Sequence, residues 1–336
     1  MNEAGLVVEV MWLNSSKYPA VDSRPSLNEL QWVQYVLDNF ATVADLVEQA
    51  PKLRIAQVFA EVHYLVCDKT SACAAMEYIN GRLVISTGDD MPAKTLTNNT
   101  YADSALYLKR FAGFGGSQST PGSLDSLDRF VRASSMALDS SKSMTPEYVF
   151  SILDSVYTPG YTQWNLVYVP DEMKVYFRTS SSTNIKSVKL SDFDGACTAT
   201  VKVLDIDTGA EGDTLARFSD YTTGSNKLLL EHGFGSLAAY MPAGLLDKLA
   251  NYPETLTCNP TVAPPLDAGS TTADAGVAGV DAALVVGDGG AVVPSDKDED
   301  DGGCQVASSR SAGPTPWLFA IGFVLFAASR RVRRRR

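Results

Sequence analysis

The chain has 336 residues, 28 of them basic and 39 acidic, with a formal net charge of −11. Its first 259 residues carry about 30 acidic and about 20 basic side chains, a surface that repels polyanions and excludes nucleic acid as a partner. Only two histidines, His63 and His232, are present, the five cysteines lack metal-ligand spacing, and no G-x-S-x-G, G-x-G-x-x-G or P-loop motif occurs. No metal and no cofactor is therefore expected, and any enzyme built on this chain would need a base other than histidine.

Asn2-Glu3-Ala4-Gly5 reads as a tight turn running into a strand over 7–13, whose mostly apolar, β-branched character suggests burial on both faces. Ser26 is predicted to cap a helix over 27–40, where Leu30, Val33, Val36 and Leu37 recur at helical spacing. Thr42 caps a second, short helix over 43–49. Strands are predicted over 54–58, 62–67, 72–79 and 83–87, the last two flanking the hairpin signal Asn80-Gly81. Helices follow over 103–111, 124–137 and 145–156, with Phe114-Gly115-Gly116 read as a helix terminator. Strands return over 163–169, 174–179, 185–190 and 198–204. His63 falls inside a strand and His232, beside Gly233, in a loop. Blocks of antiparallel strands alternating with blocks of helices mean an α+β fold rather than a doubly wound parallel sheet.

Three regions are expected: a globular domain over 1–259, a linker over 260–303 and a tail over 304–336. The linker is rich in Ala, Gly, Asp and Pro and lacks aromatic residues and periodicity, so it is expected to be disordered. The tail carries Gly302-Gly303-Cys304 just ahead of an apolar run over 317–328 and the arginines 330, 331 and 333–336. Twelve apolar residues are short for a free-standing span, which needs about 20. Closed by arginines, the run fits a stop signal held on the cytoplasmic side. The order Gly-Gly-Cys, apolar run, Arg cluster resembles the MYXO-CTERM sorting tail. That resemblance implies export, processing near Cys304, lipid attachment there and a membrane anchor at the cell envelope or surface.

Three segments carry a second resemblance: Asn2-Glu3-Ala4-Gly5-Leu6; Thr95-Leu96-Thr97-Asn98-Asn99-Thr100-Tyr101 ahead of a helix; and Leu124-Asp125-Ser126-Leu127-Asp128-Arg129-Phe130. With Thr162-Gln163-Trp164-Asn165 and Val175-Tyr176-Phe177-Arg178 further on, the ordered set resembles the choloylglycine hydrolase and penicillin V acylase family of linear-amide C–N hydrolases. The resemblance implies a four-layer αββα N-terminal-nucleophile sandwich, here lacking its first strands. It implies hydrolysis of non-peptide amides such as penicillin V, conjugated bile salts or N-acyl homoserine lactones. The nucleophile would be an N-terminal cysteine whose own α-amine, with an ordinary pKa near 8, serves as base. By the same resemblance Asn98 would donate its side-chain amide to the oxyanion, and the Trp12 backbone N–H would complete the hole. Arg129 would lie beside the nucleophile and favour its thiolate. A homo-oligomer is an expected partner state.

Taken singly, Asn98 reads as a turn residue, Arg129 as an i−4 ion pair with Asp125, and Trp12 as core; the ordered set at the family's spacing is what gives them roles. The sequence departs from the family at its start, because no cysteine, arginine or aspartate precedes the Asn-Glu-x-Gly turn. Two explanations stand: a start placed at an internal methionine, with signal peptide and cysteine upstream of Met1, or a truncated, inert product keeping the fold as a surface-anchored binding module. The export-type tail favours the first. Setting Cys304 aside, Cys67, Cys73, Cys197 and Cys258 allow three pairings, of which Cys197–Cys258 is the hypothesis.

Overall fold

Elements arise where local signals and burial agree. The structure, a computed structural model, describes residues 1–193, 200–235 and 241–255. In chain order these form β1 (Val7–Trp12), β2 (Ser26–Leu27), α1 (Glu29–Asn39), α2 (Val43–Gln49), β3 (Arg54–Ile55), β4 (Val62–Cys67), β5 (Cys73–Ile79) and β6 (Arg82–Thr87). Next come α3 (Tyr101–Leu108), α4 (Ser126–Ala137), α5 (Pro146–Ser155), β7 (Trp164–Val169), β8 (Lys174–Thr179) and β9 (Lys186–Lys189). The last are β10 (Lys202–Val203), β11 (Gly212–Asp213), β12 (Ser219–Asp220), α6 (Thr223–Phe234) and α7 (Leu245–Thr255). The predicted linker and tail, and with them Cys197, Cys258 and Cys304, lie outside the described residues. Among the described residues no helix is long and apolar enough to cross a membrane.

A first sheet of order β1-β4-β5-β6 is antiparallel throughout, and a second has the order β11-β9-β8-β7. The fold is α+β, two main sheets with α1 and α2 on one face of the first and α3 and α4 on the other. One face of the first sheet (Val8, Val62, Tyr64, Val66, Met76, Tyr78) buries the apolar stripe Trp32, Val33, Val36 and Leu37 of α1 together with Leu46 of α2. The other face brings Leu65 and Ala75 against Tyr101 and Leu108 of α3 and Phe130 and Val131 of α4. The Glu9 carboxyl of β1 meets Tyr168 of β7; burial raises its pKa and the tyrosine hydroxyl offsets part of that rise.

The turn before β1 forms as the sequence indicates. Gly5 N donates to Asn2 O at 3.0 Å, and the buried Asn2 side chain both accepts from Leu6 N and donates to the last carbonyls of α1. Gly5 adopts φ +82°, and a Cβ there would lie 3.1 Å from Pro170. Thr42 caps α2, and Asn80-Gly81 turns β5 into β6 with both residues at positive φ. Cys67 and Cys73 form a disulfide across the β4–β5 hairpin.

Several expectations change. Residues 26–27 pair in parallel with Arg54–Ile55 instead of opening a helix; Asn28 caps α1, its Oδ1 accepting from Gln31 N at 2.7 Å while Gln31 closes the capping box. β1 is the sheet's edge and only half-buried, with Glu9 at its centre, so it is not buried on both faces. His232 lies within α6, because the Thr222–Ser225 capping box starts a helix that tolerates Gly224 and Gly233. Gly115 and Gly116 do not end α3, which stops at Leu108; Gly116 closes a loop onto Arg110, whose carbonyl carbon a Cβ would meet at 2.1 Å. Strand pairing survives for only two residues in 54–58 and two in 200–204.

Candidate active site

Trp12, Asn98 and Arg129 come from three separate elements and meet in one hydrogen-bond chain. Asn98 Nδ2 donates to Trp12 O at 2.9 Å, and Arg129 Nη2 donates to Asn98 Oδ1 at 2.7 Å. Both ends of the amide are thereby fixed, and its orientation follows: the guanidinium offers only donors and the carbonyl only an acceptor. An amide nitrogen carries two protons, so Asn98 keeps a second N–H for a ligand.

The strand register makes the Trp12 backbone available too. Leu13 N donates to Glu61 O at 2.8 Å, which makes residues 13 and 61 a hydrogen-bonded pair. Trp12 and Val62, one step along, are then a non-hydrogen-bonded pair. The N–H and C=O of Trp12 therefore both point away from β4, across the edge of the first sheet. Asn98 occupies the carbonyl, and the N–H faces the same side. The Trp12 indole is 41% exposed, so the alternative of Trp12 as a core residue does not hold.

Arg129 makes no ion pair with Asp125 among the described residues. Its Nε donates to Leu124 O at 3.0 Å, and Nη2 goes to Asn98. Burial lowers its pKa, the like charge of Arg132 adds to that, and Asp125 opposes it; a guanidinium stays charged regardless. One turn before it, Ser126 Oγ accepts from Asn98 N at 2.8 Å and donates to Thr97 Oγ1 at 3.1 Å. Sequence reasoning gave no role to Ser126 or Thr97, although both stand in the segments that carry the family resemblance; a helix start expected at 124 hid that Ser126 opens α4.

Clefts of about 400 and 200 Å³ lie elsewhere, around Asp171–Lys174 and Asp192, and around Asp154, Trp164 and Arg178; none of Trp12, Asn98 and Arg129 lines either. Val58 and Phe59 are 61% and 67% exposed on the segment leading into β4. That segment is held by Glu29, a buried carboxylate accepting the N–H groups of Val58, Phe59 and Ala60. No group of three or more His, Cys, Asp or Glu suited to a metal ion occurs among the described residues.

This arrangement accompanies clear kinship. The chain is 31% identical to the solved penicillin V acylase of Agrobacterium tumefaciens, with a TM-score of 0.58 over 66% of this chain and 76% of that one. A variant conjugated bile acid hydrolase from Clostridium perfringens shares the fold at 16% identity and a TM-score of 0.51. In sequence, the penicillin V acylase of Pectobacterium atrosepticum is 35% identical over 147 residues, 40% of this chain and 39% of that protein. A bile salt hydrolase/transferase of Lactiplantibacillus plantarum is 25% identical over 239 residues, 57% of this chain and 72% of that protein. The match to the first of these sequence relatives spans only about two-fifths of its length. Residues 1–202 match the sequence model of one family, and the chain belongs to it: the linear amide C–N hydrolases, choloylglycine hydrolase family.

Proposed function

We propose that this chain is the scaffold of a linear-amide hydrolase in which Trp12 N–H and the second N–H of Asn98 bind the oxyanion. The observation that carries this reading is the Arg129–Asn98–Trp12 chain, which aims two donors over one edge of the first sheet. In this reading the nucleophile is a cysteine upstream of Met1. Its thiolate attacks the amide carbon, and its α-amine takes the thiol proton and delivers it to the departing amine. Water then cleaves the thioester, releasing the acid and restoring the thiol. Arg129 stabilises the negative charge and locks Asn98.

The substrate is an amide with an apolar acyl group: penicillin V, a conjugated bile salt or an N-acyl homoserine lactone. The exposed indole of Trp12, whose carbonyl Asn98 holds, supports that choice over a charged acyl chain. The protein is exported and held at the cell-envelope membrane through its C-terminal segment, with Cys304 as the lipidation position. Support for the anchor is the sequence of 302–336 alone.

The test is release of primary amine from those three substrate classes by protein isolated from its native membrane. Turnover of at least one class supports the reading. No turnover of any, by folded protein, refutes it and leaves a non-catalytic module of the same fold.

A further inference from the structure

His63 and Glu77 stand directly beneath the site, and the mechanism above gives them no task. They are cross-strand neighbours, because the β4–β5 register that pairs Tyr64 with Met76 sets residue 63 opposite residue 77. Both are buried, with 0% and 2% exposure, within otherwise apolar strands. Burying two ionisable groups is costly unless their hydrogen bonds are met, and here all are used. His63 Nδ1 lies 2.8 Å from Glu77 Oε1, and the Glu77 carboxylate accepts the Tyr101 N–H at 2.9 and 3.0 Å. His63 Nε2 lies 2.6 Å from Thr97 O, which can only accept, so Nε2 carries a proton.

The position of that carbonyl gives the pair its significance. The Thr97 C=O and the Asn98 N–H belong to one planar peptide unit. His63 holds the carbonyl end and Ser126 Oγ the N–H end, at 2.8 Å. A plane held at both ends fixes the Asn98 Cα, and Trp12 O and Arg129 fix its side chain. Glu77 sets the ring's direction and, through Tyr101 N, ties the start of α3 to the same point.

We propose that His63, oriented by Glu77, is a positioning residue that holds the Thr97–Asn98 peptide so that the Asn98 amide faces the reacting carbonyl. This rests on the amide-hydrolase reading above. A displacement of about 1 Å at such a donor costs on the order of 100-fold in rate.

Two near-isosteric variants separate positioning from mere stability. His63→Gln keeps a donor near Nε2, toward Thr97 O, and gives up Glu77. His63→Asn keeps a donor near Nδ1, toward Glu77, and gives up Thr97. Each loses one buried hydrogen bond, so both are expected to lower Tm comparably. In the full-length enzyme His63→Asn is expected to lower kcat by about 10- to 100-fold with KM within threefold, while His63→Gln stays within about fivefold of wild type. Equal kcat for the two variants would overturn the proposal.

A second readout needs neither activity nor a variant. In the full chain, NMR is expected to show a proton on His63 Nε2 with a through-hydrogen-bond coupling to the Thr97 carbonyl carbon. An unprotonated Nε2 overturns the proposal even if no variant folds. If the wild type hydrolyses no amide, the functional reading fails separately; positioning is then judged by that coupling and by exchange of the Asn98 side-chain amide. Exchange is expected to quicken at least tenfold in His63→Asn but not in His63→Gln, and equal exchange in both would refute it.

Discussion

In the proposed reading, replacing Asn98 with alanine removes one oxyanion donor and leaves the rest of the scaffold nearly untouched. Loss of a single such donor typically costs about 10²–10³ in kcat, or about 2.7–4 kcal/mol of transition-state stabilisation. The stability cost should be far smaller. Asn98 is exposed, and its deleted side chain takes away one bond to Trp12 O and one from Arg129, groups that water can reach. About 1 kcal/mol of folding stability is the expected loss. Steady-state hydrolysis of a phenoxyacetyl amide, with a thermal melt of the same preparation, separates the two effects. The expected result is kcat down at least 100-fold, KM within a fewfold and Tm lower by only a few degrees. Asn98→Asp sharpens the test: it keeps the shape and the Arg129 contact but sets a carboxylate against the Trp12 carbonyl and the oxyanion, and should be no better than alanine. An Asn98→Ala enzyme within threefold of wild-type kcat would refute the oxyanion assignment.

Other perturbations bear on separate parts of the structure. Arg129→Lys keeps the charge but loses the fork that reaches Leu124 O and Asn98 Oδ1 together, and should lower kcat about tenfold or more at nearly constant Tm, read in the same assay. Burial opposes the Asp68 carboxylate, but the Thr70 hydroxyl and the N–H groups of Val43, Thr70 and Ala72 outweigh that and hold its pKa below the usual aspartate value. Its stabilisation is thus complete above an unfolded pKa of about 3.9 and is lost as pH falls through the lower folded value. The gap in unfolding free energy between wild type and Asp68→Asn should be about 1.5–3 kcal/mol at pH 7 and shrink below pH 4, by urea denaturation. Gly116→Ala should cost more than about 3 kcal/mol, since its Cβ would fall 2.1 Å from the Arg110 carbonyl; a melt unchanged from wild type would contradict the loop geometry.

Local signals were legible where they were self-contained. Thr42 before Val43, Asn80-Gly81 between two apolar strands, and Val33, Val36 and Leu37 at helical spacing each specify their element within a few residues, although Trp32 rather than Leu30 completes the buried stripe of α1. Non-local pairing was not. The two-residue match of Ser26–Leu27 with Arg54–Ile55 joins segments far apart in sequence and overrode the cap expected at Ser26. At the site, the family's spacing picked out Trp12, Asn98 and Arg129, but not how they touch: that depends on which edge of β1 faces outward and on a helix start at Ser126. The buried pair did leave a trace, in a histidine between Val62 and Tyr64 and a glutamate between Met76 and Tyr78. Ionisable residues inside apolar strands signal a satisfied buried network, and only the fold reveals that its outlet is the peptide before Asn98.

The most direct test of the central claim is the N-terminal sequence of the mature protein isolated from its native source. A chain beginning with cysteine, upstream of Met1, is the expected result and would supply nucleophile and base to the edge that Trp12 and Asn98 face. A mature chain beginning with any other residue would contradict the N-terminal cysteine mechanism.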